Sequence, residues 1–262
     1  MSRLSIFAAL VVLLALGYFF RGPLGWAVWR STHSASVATA LNGTDPELLF
    51  SIGNYYFGEG AYDTQTAERY FQQVIRIDPM REGPHYQLAR VYFINGDFAS
   101  AHAQIQTELA LHPDNKRSYY VRALIYGYRG ELEKAEADFK EFLKWKSDGW
   151  AGWNDLAWIY FQEGKYEEAR DAVRSALVRY PDNPWLLNSL GVALLNTNDQ
   201  EGAKESFIKA LSKLASMTEK EWGIAYPGND PAVYREGFSK MKESVQENFE
   251  LLTAVNSTSS PQ

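Results

Sequence analysis

Three prolines set the frame of this chain. Pro79, Pro113 and Pro181 stand at separations of 34 and 68 residues, and Ser147 and Ala215 occupy the remaining steps of the same interval. A fixed period of this length means that one supersecondary unit is stacked on copies of itself, because no single unit can bury its apolar face alone. Within each interval the first half carries core-type residues at i, i+3, i+4 and i+7, one face of a helix. These are Leu49, Ile52, Gly53 and Tyr56, then His85, Leu88, Ala89 and Tyr92, then Tyr119, Arg122, Ala123 and Tyr126. The fourth set is Trp153, Leu156, Ala157 and Tyr160, and the fifth Leu187, Leu190, Gly191 and Leu194. A residue that tolerates a left-handed backbone follows in four of them, at Gly96, Gly130, Gly164 and Asn198.

A second helical pattern comes next and opens on a small residue, Ala67, Ala101, Ala135, Ala169 or Ala203. Small residues at matching places in both halves let two helix axes approach closely, where a large side chain would force them apart. The closing Pro, or the residue that stands in for it, then stops the second helix.

This pattern resembles the tetratricopeptide repeat, a helix–turn–helix of 34 residues with small residues at its eighth, twentieth and twenty-seventh positions. The resemblance covers about residues 46–215 in five repeats. It implies an all-α fold, a right-handed superhelical solenoid of helix hairpins. Four departures stand out: two extra residues in the first internal turn, around Gly60 to Thr66; Arg122 where Leu is usual and Ser147 in place of the closing Pro in the third repeat; and Glu108 where a small residue is usual.

The flanks read differently. Leu4–Phe20 carries no charge and as a helix would span roughly 25 Å, the short end for a bilayer. Arg3 and Arg21 flank it, and Tyr18, Trp26 and Trp29 suit an interface. Residues 1–30 are therefore expected to form an uncleaved single-pass anchor with its interfacial flank, a signal peptide being the other reading. Residues 31–45 are small and polar and read as a linker or a loose helical extension. After a turn-rich stretch, Val233, Phe238, Met241, Val245, Phe249 and Leu252 recur at helical spacing, with Asp230 and Pro231 placed to start the helix. A helix over 231–253, within a C-terminal part spanning 216–253, is expected to cap the array, and 254–262 to be a disordered tail. The short segment before the anchor and the charged Arg3 resemble an export signal, which places the repeats outside the cytoplasm, although Arg21 and Arg30 oppose this.

Composition removes several function classes. The chain has no Cys, which excludes disulfides, thiolate nucleophiles and Cys-ligated zinc. Its net charge of −6 does not favour nucleic acid. His33, His85, His102 and His112 are scattered without metal-ligand spacing, and no nucleotide-binding glycine loop is present. Neither an enzyme nor a cofactor is expected. What remains is binding.

The resemblance implies a groove lined by the first helix of each repeat, at its second, fifth, ninth and twelfth positions. The residues at such positions are Phe50, Asn54, Tyr86, Arg90, Arg117, Tyr120, Asn154, Trp158, Phe161, Trp185 and Asn188, with Phe57, Phe93, Leu124 and Leu195 beside them. Aromatics supply contact area at low entropic cost, and Asn can bond both the donor and the acceptor of an extended peptide backbone. The basic clamp by which some members grip a peptide's terminal carboxylate is incomplete: Phe50 and Val121 occupy positions that it needs. The expected function is a membrane-anchored scaffold that holds a protein or peptide ligand during assembly of a membrane or envelope complex. The alternative is a carbohydrate-binding or polysaccharide-export scaffold that uses the same aromatic groove.

Overall fold

The computed structural model describes residues 20–225 and 230–258. The apolar stretch 4–20 lies outside them except for Phe20, and among the described residues no helix is long and apolar enough to cross a membrane. The described residues are helical, with one isolated bridge between Phe57 and Tyr62 in place of any strand. The chain divides after Val91 into two compact units.

In the first unit a helix, α1, covers residues 20–32 and is followed by α2 (Ala35–Asn42), α3 (Pro46–Tyr56) and α4 (Thr64–Ile77). The stretch 31–45 thus contains a packed helix. Ala35 and Ala38 are small enough to seat α2 against Trp29, Leu48 and Ile52, and all five are buried. Two indole N–H groups fasten α1 to α3 and its cap. Trp26 Nε1 donates to Asp45 and Trp29 Nε1 to Ser51 Oγ, both at 3.0 Å. Asp45 also caps α3 by accepting from the backbone N–H groups of Glu47 and Leu48, with Pro46 in the first turn. The irregular turn of this repeat runs between Tyr56 and Thr64, slightly earlier than the sequence suggests, and Gly58 adopts φ +107° within it. Gly53 faces Phe71, where even one Cβ would fall inside contact distance. α5 (Pro84–Ile94) begins in this unit.

The second unit carries α6 (Phe98–Leu111), α7 (Lys116–Tyr128), α8 (Leu132–Trp145), α9 (Trp150–Gln162), α10 (Tyr166–Leu177), α11 (Pro184–Asn196) and α12 (Gln200–Ser216). Helices α7/α8, α9/α10 and α11/α12 form hairpins, and each hairpin packs on the next. The turn residues Gly96, Gly130, Gly164 and Asn198 have φ of 78°, 76°, 72° and 63°, the left-handed conformation that their types favour. Asp97 and Asp199 cap α6 and α12 through the backbone N–H groups of Ser100 and Gly202. Ala101, Ala123, Ala135, Ala157, Ala169 and Ala203 are all fully buried, as close helix approach requires.

Two sequence departures find their physical reason here. Arg122 replaces an apolar core residue because its partner across the hairpin is also polar: Nε and Nη2 bond the two oxygens of buried Asp138 at 2.6 and 2.8 Å. Glu108 is fully buried and accepts from Asn115 Nδ2 at 2.8 Å, which closes the α6–α7 connection.

After α12 a short helix, α13 (Glu219–Ile224), starts with a complete capping box between Thr218 and Glu221. Asp230 and Pro231 begin a single 3-10 turn, and α14 (Tyr234–Thr258) follows. Phe238, Val245 and Leu252 of α14 are buried against Leu187, Leu194, Phe207 and Leu214 of the last hairpin. Val233 is instead exposed in the 3-10 turn. Residues 254–258, expected in the disordered tail, continue α14, and 259–262 lie outside the described residues.

Candidate functional site

The eleven residues expected to line a groove fall on the first helices of their hairpins in both units. All but Arg117 are half-buried; Arg117 is exposed. The structure brings them together in two separate sets.

In the first unit, Asn54 Oδ1 accepts from Gln87 Nε2 at 2.6 Å, and Gln87 Oε1 accepts from Arg90 Nη1 at 2.8 Å. The Arg90 guanidinium lies 4.8 Å from the Phe57 ring centre and 5.6 Å from that of Tyr86. Phe50 carries the Arg81 guanidinium at 5.2 Å, and Arg81 also pairs with both oxygens of Glu47. Most donors, acceptors and charges in this set answer one another; the exception is Arg81 Nε, buried without a hydrogen-bond partner.

In the second unit, α7, α9 and α11 line a pocket of about 330 Å³. Asn154, Trp158, Phe161 and Asn188 lie in its wall together with Leu124, Tyr128, Asp155, Ser189 and Val192. Asn154 Oδ1 accepts from Ser189 Oγ at 2.8 Å, and Asn188 Oδ1 accepts from Asn248 Nδ2 of α14 at 3.1 Å. Trp158 lies over the α7 backbone because Gly127 has no side chain: a Cβ there would come within 2.6 Å of the indole. Tyr128 tilts against Trp158, with ring centres 5.2 Å apart. Trp185 lies apart from the pocket wall and packs on Trp150 at 5.2 Å.

Asp155 and Tyr128 are the residues that sequence reading passed over. They sit at the sixth and thirteenth positions of their repeats, next to positions that were considered, so the signal was the helical neighbourhood of Asn154 and Leu124. Tyr120, expected in the groove, donates its hydroxyl to Asp155 Oδ2 at 2.5 Å. Burial pushes the Asp155 carboxyl well above the usual carboxylate range, to about 6, against the opposing hydrogen bonds from Tyr120 and Asn154. Among the described residues no cation pairs with it, and no Lys or Arg lines the pocket. No group of three His, Asp or Glu among the described residues could hold a metal. Aromatic faces, amides and one carboxylate can bind, orient and desolvate a ligand; they assemble neither an activated nucleophile nor a metal centre.

The fold is an array of helical-repeat hairpins. Residues 86–144, 120–184 and 154–214 each match the tetratricopeptide repeat family, so the segment from 86 to 214 is a run of tetratricopeptide repeats. The first repeat precedes the matched region. Among solved structures, MamA 41-end from Desulfovibrio magneticus RS-1 aligns with TM-score 0.59 and 19% identity, over 66% of this chain and 96% of that one. YrrB, described as a TPR protein with an unusual peptide-binding site, aligns with TM-score 0.57 and 14% identity, over 70% and 93%. The APC/C hetero-tetramer Cut9–Hcn1 gives TM-score 0.62 and 13% identity, over 80% of this chain and 38% of that chain. At these identities the likeness is one of fold. No curated protein sequence matches the chain.

Proposed function

We propose that the protein is a membrane-anchored scaffold whose repeats hold an extended segment of a partner protein during assembly of a membrane or envelope complex. The observation that carries the reading is the pocket between α7, α9 and α11. It joins aromatic area to amide groups at the spacing of successive repeats, and successive repeats are what an extended chain can cross. YrrB, similar in fold, is described as having a peptide-binding site. The membrane part of the reading rests on the uncharged run 4–20 and its flanking arginines.

A photo-crosslinking residue at Phe161, introduced into the full chain in its native membrane, tests the proposal. The expected product is a protein adduct that Trp158→Ala abolishes and that the same probe at exposed Val178 does not give. Adducts only to glycan would overturn the protein-binding reading in favour of the carbohydrate scaffold. The proposed extracytoplasmic placement has its own check. Protease added outside an intact inner membrane digests the repeats if they face outward, and leaves them whole if they face the cytoplasm.

A further inference from the structure

We propose that the pocket around Asp155 receives a cationic side chain, arginine or lysine, from the partner segment. This rests on the reading of the α7–α9–α11 face as a peptide-binding surface and adds what the peptide must carry.

The first argument is charge. Asp155 is the single ionisable carboxylate in the pocket wall, and the groups bonded to it, Tyr120 and Asn154, are neutral. A carboxylate withdrawn from water that lacks a counter-charge is costly to keep ionised, and a ligand cation brought beside it removes that cost. An anionic ligand would meet repulsion there, and a purely apolar one would desolvate the carboxylate further without compensation.

The second argument is the wall. Tyr128, Trp158 and Phe161 surround the same space, and aromatic faces attract cations, Trp most strongly. A carboxylate flanked by aromatic rings matches the flat, weakly hydrated guanidinium especially well. Trp158 is seated over Gly127 and Tyr128 packs on it with ring centres 5.2 Å apart, so these two rings are positioned by contacts of their own.

The charge state sets a pH signature. From α7 the Tyr120 phenol bonds Asp155 and the Tyr128 phenol lines the same pocket; α9 contributes Asn154, and α11 contributes Asn188 and Ser189, none of them charged. Protonation of Asp155 therefore removes the negative charge of the pocket, and cation preference should fade as pH falls through about 6.

The test uses the full chain and an array of extended decapeptides that differ only at a central residue, which is arginine, lysine, citrulline, norleucine or glutamate. Arginine and lysine peptides should bind about tenfold tighter than their neutral counterparts at pH 7.5. The advantage should shrink several-fold at pH 5 and vanish in Asp155→Asn, which keeps the acceptor for the Tyr120 hydroxyl. Trp158→Leu provides a second variant and should reduce the arginine advantage while Asp155 is intact. Binding of all peptides without cation preference, or a preference that survives in Asp155→Asn, overturns the inference and leaves the scaffold reading standing. Binding of no peptide overturns both.

Discussion

The Arg122–Asp138 pair makes a quantitative test of how this repeat array tolerates a charge in its core. Arg122 stands where the repeat pattern calls for Leu, so Arg122→Leu restores the usual residue and a naive reading expects stabilisation. The structure expects the opposite. Asp138 keeps only 9% of its side chain exposed, and Arg122 21%. Removing one member of a buried ion pair costs about 3–5 kcal/mol because the other charge is stranded. The guanidinium also lies 5.2 Å from the Tyr119 ring and 5.8 Å from that of Tyr126, contacts worth about 0.5–1 kcal/mol each. Against this, a buried Leu returns about 1.5–3 kcal/mol of apolar burial. The exposed fifth of Arg122 further softens the loss by letting water reach the carboxylate. The net expectation for Arg122→Leu is destabilisation by about 2–3 kcal/mol. Asp138→Leu alone strands the cation, but its long stem can reach solvent, so about 1–2 kcal/mol is expected. The double variant removes both charges and should lie within about 1 kcal/mol of the parent, giving a coupling energy of about 2–4 kcal/mol. Urea unfolding followed by far-ultraviolet circular dichroism measures all four proteins. Additivity of the two single effects, or Arg122→Leu as stable as the parent, would refute the reasoning.

Three further outcomes follow from the packing and the charges. Ala157→Trp forces an indole into a fully buried site at the close approach of α9 and α10, and should cost about 1–3 kcal/mol or more; an unchanged thermal midpoint would mean that the repeat register is misassigned. A fragment starting at residue 40 loses Trp29, its bond to Ser51 and the α2 contacts, so it should melt lower than a fragment starting at residue 20, and equal melting would show that α1 and α2 contribute nothing. Asp155 has a carboxyl pKa raised in the folded state, so folding takes up a proton between about 4 and 6 and stability falls as pH rises through that window; Asp155→Asn should flatten this part of the pH profile, and a profile identical to the parent's would remove Asp155 as its source.

Much of this fold was legible because a repeat states its rule several times. One small residue at a helix contact proves little, but Ala101, Ala135, Ala169 and Ala203 recur in register, and each is fully buried. The turn glycines were readable for the same reason, since left-handed backbone selects Gly or Asn at each hairpin. Features that occur once were harder. α2 is short, and its burial depends on two alanines meeting a tryptophan nine residues from Ala38, a tertiary contact that local composition does not encode. α13 announced itself only by Thr218 and Glu221, a capping box set in a stretch dominated by turn signals. The candidate site was read from positions borrowed by resemblance, and those positions carry no information about charge compensation. Asp155 was missed because its importance lies in what does not surround it.

Charge compensation also decides which of the two residue sets is suited to hold a ligand. In the first unit most of the polar groups are engaged with one another, Arg81 Nε alone in the set being buried without a hydrogen-bond partner. Gln87 spans Asn54 and Arg90, Arg90 covers Phe57 and Tyr86, and Arg81 answers Glu47 while resting on Phe50. A ligand arriving there must break these contacts and can at best replace them, so its net gain is small. In the second unit the amides are linked in pairs that leave the pocket open, and the Asp155 carboxylate has only neutral partners. A ligand with a cation and an extended backbone meets an unmet need there and loses little in exchange. On the proposed reading, affinity arises where the unliganded protein is left electrostatically incomplete, and the Asp155 carboxylate with its neutral partners gives the α7–α9–α11 face that character.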